Sequence, residues 1–284
     1  MSRKGLLRWG GRLTTALTVA GLGLVLLPYF WMLSSSVKTG SEVFDLPIKW
    51  LPEAAQWGNY PDALSRGKFP TYFFNSAVVA FAVMAGNLVF CSMAGYGLSK
   101  FRFPYREACF RLILSTMMLP LEIILVPTFL VAREFGLVNN YGGLIVPLAV
   151  DAFGIFLMRQ YIKDLPDSLI EAARLDGCGE FGIFWRIILP NCKPALGALA
   201  LLTFRDNWDQ FLWPLIVASK DTLKTFPLGL AQMEGIDSAA YHEIMAAAVI
   251  GMIPTALVFL LFQRAFVRGI ALSEIGRASC RERV

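Results

Sequence analysis

The chain has 284 residues, of which 56% are hydrophobic and only 17% charged, and its formal net charge is +5. Mean hydropathy is +0.56. A soluble domain carries about 25% charged residues, so these values exclude an ordinary globular protein, and recurring apolar runs of about eighteen or more residues point to a polytopic membrane protein.

The positive balance does not indicate nucleic acid, because membrane proteins concentrate Lys and Arg on cytoplasmic loops. Five cysteines (Cys91, Cys109, Cys178, Cys192, Cys280) form no CxxC pair, and His242 is the single histidine. That pattern offers no metal-site spacing and reads as free thiols. No GxxxxGK[ST], HExxH or GxSxG occurs, so no catalytic constellation, metal site or cofactor site is expected.

In chain order, Arg3, Lys4, Arg8 and Arg12 precede an apolar segment from Leu13 to about Ser36. It is too long for a signal-peptide core and lacks a small-x-small cleavage site, so it is read as the first transmembrane helix, with its basic flank inside. Residues 37–69 are polar and rich in Pro and Trp, an external loop with a short surface helix around Trp57–Leu64. The second span covers about Thr71–Leu98. It contains Asn75 and Asn87, and Gly86, Gly95 and Gly97 permit close helix packing. After Lys100, Arg102 and Arg106, a third span covers about Ala108–Ala132, where Pro120 and Pro127 predict a kink. The fourth span, Tyr141 to about Met158, contains Pro147 and Asp151. A basic loop follows, about residues 159–194, before a fifth span, a polar external segment over 218–243, and a sixth span over Ile244–Phe262.

The charge distribution supports this layout. Fifteen Lys and Arg fall in the pieces assigned to the cytoplasm and seven in those assigned outside. Six transmembrane helices with both termini cytoplasmic satisfy the positive-inside rule. The final residues 274–284 (EIGRASCRERV) break the pattern and read as a non-native tail on a chain of residues 1–273.

The basic loop carries the most informative stretch. Pro166 suits a helix entrance, and Ser168 with Glu171 fits an S-x-x-E capping box. Gly177 can take the left-handed conformation that stops a helix. Ala172 and Ala173 leave low relief on which another protein can approach the backbone. Leu169, Ile170 and Leu175 add apolar contact, and Glu171, Arg174 and Asp176 add charge. The alternative is that Glu171 merely caps its own helix while Arg174 is solvated.

The fifth span is also unusual. The apolar stretch Ala195–Phe204 is followed by Arg205, Asp206, Asn207, Trp208, Asp209 and Gln210, then by apolar residues from Phe211 to Ala218. Charges at mid-depth cost at least ~2.5–3.5 kcal/mol each on insertion scales unless paired or facing water. Arg205 and Asp209, four apart, can pair on one helix face. A ring face covers the apolar C–H surface of a sugar while amides and carboxylates bond its hydroxyls. Asn207, Trp208, Asp209 and Phe211 are therefore candidates for a translocation path, with Asp151 and Glu122 weaker ones. The competing reading makes the tryptophans interfacial belt residues and the aspartates structural ion-pair partners.

The spacing EAA-x3-G-x9-I-x-L-P is matched at Glu171, Ala172, Ala173, Gly177, Ile187, Leu189 and Pro190. It resembles the cytoplasmic signature of permease subunits of binding-protein-dependent ABC importers. Asn207–Pro214, Pro227–Leu230 and Phe262–Gly269 resemble the carbohydrate-uptake branch, in particular the second permease subunit of the maltose and glycerol-phosphate type. The resemblance implies a coupling helix between spans four and five that lies in a cleft of a cytoplasmic ATPase, with docking residues Glu171, Ala172, Ala173, Arg174, Asp176 and Gly177. It also implies two ATP-binding subunits, a second permease, an extracytoplasmic sugar-binding protein, a lipid environment and a bacterial inner membrane. The chain itself would not be an enzyme, since ATP would be hydrolysed on another subunit. The family's small, glycine-rich tail is not continued after Gly269. A proton-coupled secondary transporter using Asp151, Glu122 or Asp209 is the alternative, but it leaves the EAA loop unexplained.

Overall fold

A computed structural model describes residues 3–236 and 240–281, with side chains over 14–233 and 240–263. The basic side chains of Arg3, Lys4, Arg8, Arg12, Arg264 and Arg268, and the last residues 282–284, lie outside that description. Among the described residues all regular structure is helical. In chain order the helices are α1 (Arg3–Ser35), α2 (Asn59–Ser65), α3 (Phe69–Lys100), α4 (Arg106–Thr116), α5 (Leu121–Glu134) and α6 (Tyr141–Ile145), which continues as a 3-10 turn, Val146–Leu148. Then come α7 (Ala152–Lys163), α8 (Asp167–Leu175), α9 (Glu180–Ile183), a π turn (Phe184–Ile188) and α10 (Leu189–Asn191). Last are α11 (Lys193–Trp208), α12 (Leu212–Val217), a 3-10 turn (Asp221–Leu223), α13 (Phe226–Ile236) and α14 (Tyr241–Arg281).

Three described helices are long and apolar enough to cross a membrane: Thr14–Ser35, Phe69–Lys100 and Tyr241–Gln263. Three bent pairs bring the number to six if each counts as one span. The expected kink in span three is a full break, because α4 and α5 meet at 106°. Pro120, without an N–H, stands at the N-cap of α5, while Pro127 is absorbed inside that helix. Residues 226–236, read from the sequence as part of a polar segment, form the helix α13.

The chain divides into two compact units. The first comprises Met1–Phe69 and Leu230–Met252. Its long loop is irregular but wired together. The Lys38 ammonium donates to the Lys49 carbonyl at 2.5 Å and sits 4.0 Å from the Trp31 ring centroid. Asn59 donates to the carbonyls of Ser36 and Lys38. Glu42 accepts from the backbone N–H groups of Thr39 and Glu53, which hold its carboxyl below the usual range. The expected surface helix is α2, and Arg66 pairs with the buried carboxylate of Glu243.

The second unit, Pro70–Gly229 and Ile253–Val284, is organised on α3. Its glycines let α7 and the turn that precedes it approach closely. A Cβ at Gly95 would lie 2.8 Å from the Arg159 nitrogen and 2.9 Å from the Met158 Cβ, and one at Gly86 would lie 3.0 Å from the Ala149 Cβ. A Cβ at Gly97 meets nothing within 4 Å, so only two of the three expected packing glycines pack. Both buried asparagines are satisfied: Asn75 donates to the carbonyls of Thr222 and Lys224, and Asn87 to those of Val83 and Leu148. At the lower end of this bundle Arg159 is 6% exposed. It donates to the Leu98 carbonyl and to Glu107, and it lies over the Phe110 ring.

Candidate functional site: an exposed loop helix and a cavity at three helix breaks

The loop helix α8 presents two distinct faces. Ile170 and Ala173, 3% and 5% exposed, pack inward among Ile162, Ile183 and Phe184, while Glu171, Ala172, Arg174 and Leu175 are exposed. The sequence reading put Ile170 and Ala173 on the docking surface. Their spacing of three places them together on the inner face instead. The expected capping box is absent too. Pro166 is the N-cap with no side-chain cap bond, and Ser168 lies inside the helix. The C-terminus follows expectation. Gly177 has φ +80°, its N–H reaches the Arg174 carbonyl at 3.1 Å, and the Cys178 N–H reaches the Ala173 carbonyl at 2.9 Å. These are the two bonds of a Schellman stop. Arg174 is engaged within the chain, donating to Glu180 at 2.8 Å. Asp167, at the other end, accepts from Lys100 at 2.6 Å. That hydrogen bond, and then the lysine's charge, holds the Asp167 carboxyl below the usual range.

The second feature is a cavity of about 530 Å³. It opens where three apolar segments break: between α4 and α5, between the Val146–Leu148 turn and α7, and between α11 and α12. Discontinuous spans are where membrane transporters expose backbone and polar groups to a water-filled space. Its wall includes Asn87, Thr116, Thr128, Asp151, Thr203, Asp206, Asn207 and Gln210, alternating with apolar residues such as Met117, Leu121, Ile124 and Phe153. Amides, hydroxyls and carboxylates set among apolar side chains suit a polyhydroxylated molecule with C–H faces.

The candidates from sequence do not all reach this wall. Asp151 and Asn207 line it. Asp151 also caps α7, accepting from the Gly154 N–H at 3.1 Å, and Asn207 donates to the Thr203 carbonyl at 2.8 Å. Trp208 is 2% exposed and packs against Phe73, Phe204 and Phe226. Asp209 ends α11 as its C-cap, and Phe211 is the N-cap of α12. Neither lines the cavity. Glu122 sits in the first turn of α5, where the helix dipole favours a carboxylate. The expected Arg205–Asp209 ion pair is absent among the described residues, although the Asp209 N–H bonds the Arg205 carbonyl at 3.0 Å. Arg205 faces Asp206 instead, at 3.9 Å.

Asp206, weighed from sequence only as an ion-pair partner, and Gln210 and Thr203 are not among the path candidates, although a signal exists. Thr203, Asp206 and Asn207 follow the i, i+3, i+4 pattern of one helical face, and Gln210 follows just past the end of α11. Leu201, Phe204 and Trp208 mark the opposite, buried face. The indole of Trp213, a belt residue in the competing reading, donates to the Gly143 carbonyl at 2.9 Å and closes one side of the cavity.

Known proteins share this architecture and sequence. The chain is 36% identical over 264 residues to the sn-glycerol-3-phosphate transport system permease protein UgpE of Yersinia enterocolitica, covering 90% of this chain and 94% of that one. It is 36% identical over 255 residues to the arabinooligosaccharides transport system permease protein AraQ of Bacillus subtilis, covering 89% and 91%. Among solved structures, a bacterial ABC transporter involved in importing the acidic polysaccharide alginate contains a chain that superposes with a TM-score of 0.82 at 26% identity, over 94% of this chain and 99% of that one. A second alginate transporter structure, in complex with a pentasaccharide-bound periplasmic protein, shares the fold at a TM-score of 0.64 and 15% identity. Residues 87–272, which hold both the loop helix and the cavity, match the family described as the inner membrane component of binding-protein-dependent transport systems, and the chain belongs to that family.

Proposed function

We propose that this chain is one permease subunit of an ATP-driven importer of carbohydrate or a carbohydrate derivative. It spans the bacterial inner membrane six times with both termini in the cytoplasm, pairs with a second permease, and receives substrate from an extracytoplasmic sugar-binding protein. Residues 1–273 form the transport unit, and residues 274–284 are a non-native extension. ATP is hydrolysed by two partner subunits, one of which holds α8 in a cleft. The observation that carries the reading is the outward face of α8: Glu171, Ala172 and Leu175 stand exposed on a helix stopped at Gly177, in the same compact unit as a polar cavity at three helix breaks. Relatives named for glycerol phosphate and arabino-oligosaccharides support a sugar-like cargo. Asp151, Asp206, Asn207 and Gln210 bond its hydroxyls, and the apolar wall covers its C–H faces.

Two of the carboxylates that a proton-coupled mechanism would use already serve helix ends, Asp151 as a cap and Glu122 in a first turn. That favours the ATP-driven reading. The test is purification through a tag on this chain from its native host. ATP-binding subunits should co-purify, and Glu171→Arg should abolish their association and sugar uptake. Retention of both in that variant refutes the docking role.

A further inference from the structure

We propose that two polar clamps fasten the coupling helix α8 to α3, Lys100 at its start and Tyr96–Glu180–Arg174 at its end, so that α8 and α3 move as one body when the ATPase moves. The proposal rests on reading α8 as the docking element and adds the route by which its movement enters the membrane.

Chain connectivity alone would tie α8 to α7 and α9. The side chains add a third attachment. Lys100 is the last residue of α3, and its side chain is 6% exposed. Its ammonium donates to the Leu165 carbonyl at 2.5 Å, to the Asp167 carboxylate at 2.6 Å and to the Lys163 carbonyl at 3.3 Å. All three of its donors are used. A single charge thus joins the end of α3, the carbonyl end of α7 and the first residue of α8, and a cation is favoured beside a helix C-terminus. One turn earlier on the same face of α3, the Tyr96 hydroxyl donates to one oxygen of Glu180 at 2.8 Å. The other oxygen of Glu180 accepts from Arg174, in the last turn of α8, also at 2.8 Å. Between the clamps, Ile170 and Ala173 of α8 are buried in the same apolar cluster as Tyr96.

Asp167 is largely exposed, at 74% for its side chain, and an ion pair open to water contributes little to stability. The Asp167 arm of the first clamp therefore adds little stability, and co-purification of the ATP-binding subunits with the variants separates lost transmission from lost folding. Lys100→Met keeps the aliphatic stem and Tyr96→Phe keeps the ring, and each loses only polar contacts. Spin labels at Ser168→Cys on α8 and Phe74→Cys on α3, both exposed, report the distance between the helices in the tagged complex. Cys109, Cys178 and Cys280 are replaced by serine for this purpose.

In the clamped protein the distance is unchanged on adding ATP. In the Lys100→Met/Tyr96→Phe double variant, ATP shifts it by at least ~1–2 Å, the scale of helix movements at interfaces. ATP-binding subunits still co-purify, and Lys100→Arg restores the invariant distance. The proposal is overturned if ATP shifts the distance in the clamped protein, if the double variant keeps it fixed, or if the double variant sheds its ATP-binding subunits. Glu171→Arg separates the two ideas: if it leaves those subunits bound, the docking reading fails whatever the labels show.

Discussion

Gly95 and Gly97 stand two residues apart on α3 and offer a matched pair of substitutions. Alanine at either position gains up to ~1 kcal/mol of helix propensity. At Gly97 the new methyl meets nothing within 4 Å, so that gain stands. At Gly95 the methyl would lie 2.8 Å from the Arg159 nitrogen, 2.9 Å from the Met158 Cβ and 3.0 Å from the Met158 carbonyl carbon. Two of those atoms are backbone, so no side-chain rotation relieves the clash, and α3 and α7 must separate. Overpacking of this kind costs ~1–3 kcal/mol. The propensity term cancels in the comparison, which leaves Gly95→Ala less stable than Gly97→Ala by about 1–3 kcal/mol. Cys91 and Cys192 are fully buried free thiols, so with Cys109, Cys178 and Cys280 replaced, their labelling by a thiol-reactive dye during heating in detergent reports unfolding. Gly95→Ala should unfold at a clearly lower temperature than the parent, and Gly97→Ala at the same or a higher one. Equal midpoints for the two variants would refute the claim that α3 and α7 are in backbone contact at this point.

Three further outcomes follow from the geometry. Gly177→Val forces a β-branched residue into a left-handed conformation (φ +80°) and should weaken the end of α8 by ~1–2 kcal/mol, with Gly177→Asn much milder; hydrogen exchange at the Cys178 amide reads the difference. Arg159→Leu removes the donor to the Leu98 carbonyl and to Glu107 and should lower stability by ~2–3 kcal/mol, since hydrogen bonds from a charged group are the strong ones. The depressed carboxyl of Asp167 contributes stability that is present above the ordinary carboxylate range and is lost as pH falls through its folded value, below about pH 4. The pair is open to water and contributes little, so Asp167→Asn should flatten the acid limb of a stability-versus-pH curve only slightly.

The parts legible in the sequence are those written in local signals. Long apolar runs mark α1, α3 and α14, and the left-handed glycine marks the end of α8. Helix breaks were partly legible. Pro120 and the polar run after Phe204 announced interruptions, but the 106° turn between α4 and α5 depends on tertiary packing that no local spacing records. The capping box failed for a related reason. Ser168 has the right spacing to Glu171, yet Pro166 already supplies the extended entry residue, and the first turn is held by Lys100, sixty-seven residues away.

The aromatic candidates illustrate the same division. Trp208 beside Asp209 suggests a sugar platform when read along the chain. Read around the helix, Phe204 and Trp208 share the face packed on other helices while Thr203, Asp206 and Asn207 share the face that lines the cavity, with Gln210 just beyond the helix end. Helical period, more than adjacency to a polar run, decides which residues reach the cavity. Applied to the rest of α11, the rule gives that helix two roles. Its apolar face is fixed against Phe73, Ala77 and Ala80 of α3, and its polar face forms one wall of the space between the broken spans. Because α3 also bonds the loop around α8 through Tyr96 and Lys100, one helix joins the proposed docking loop to the wall of the cavity.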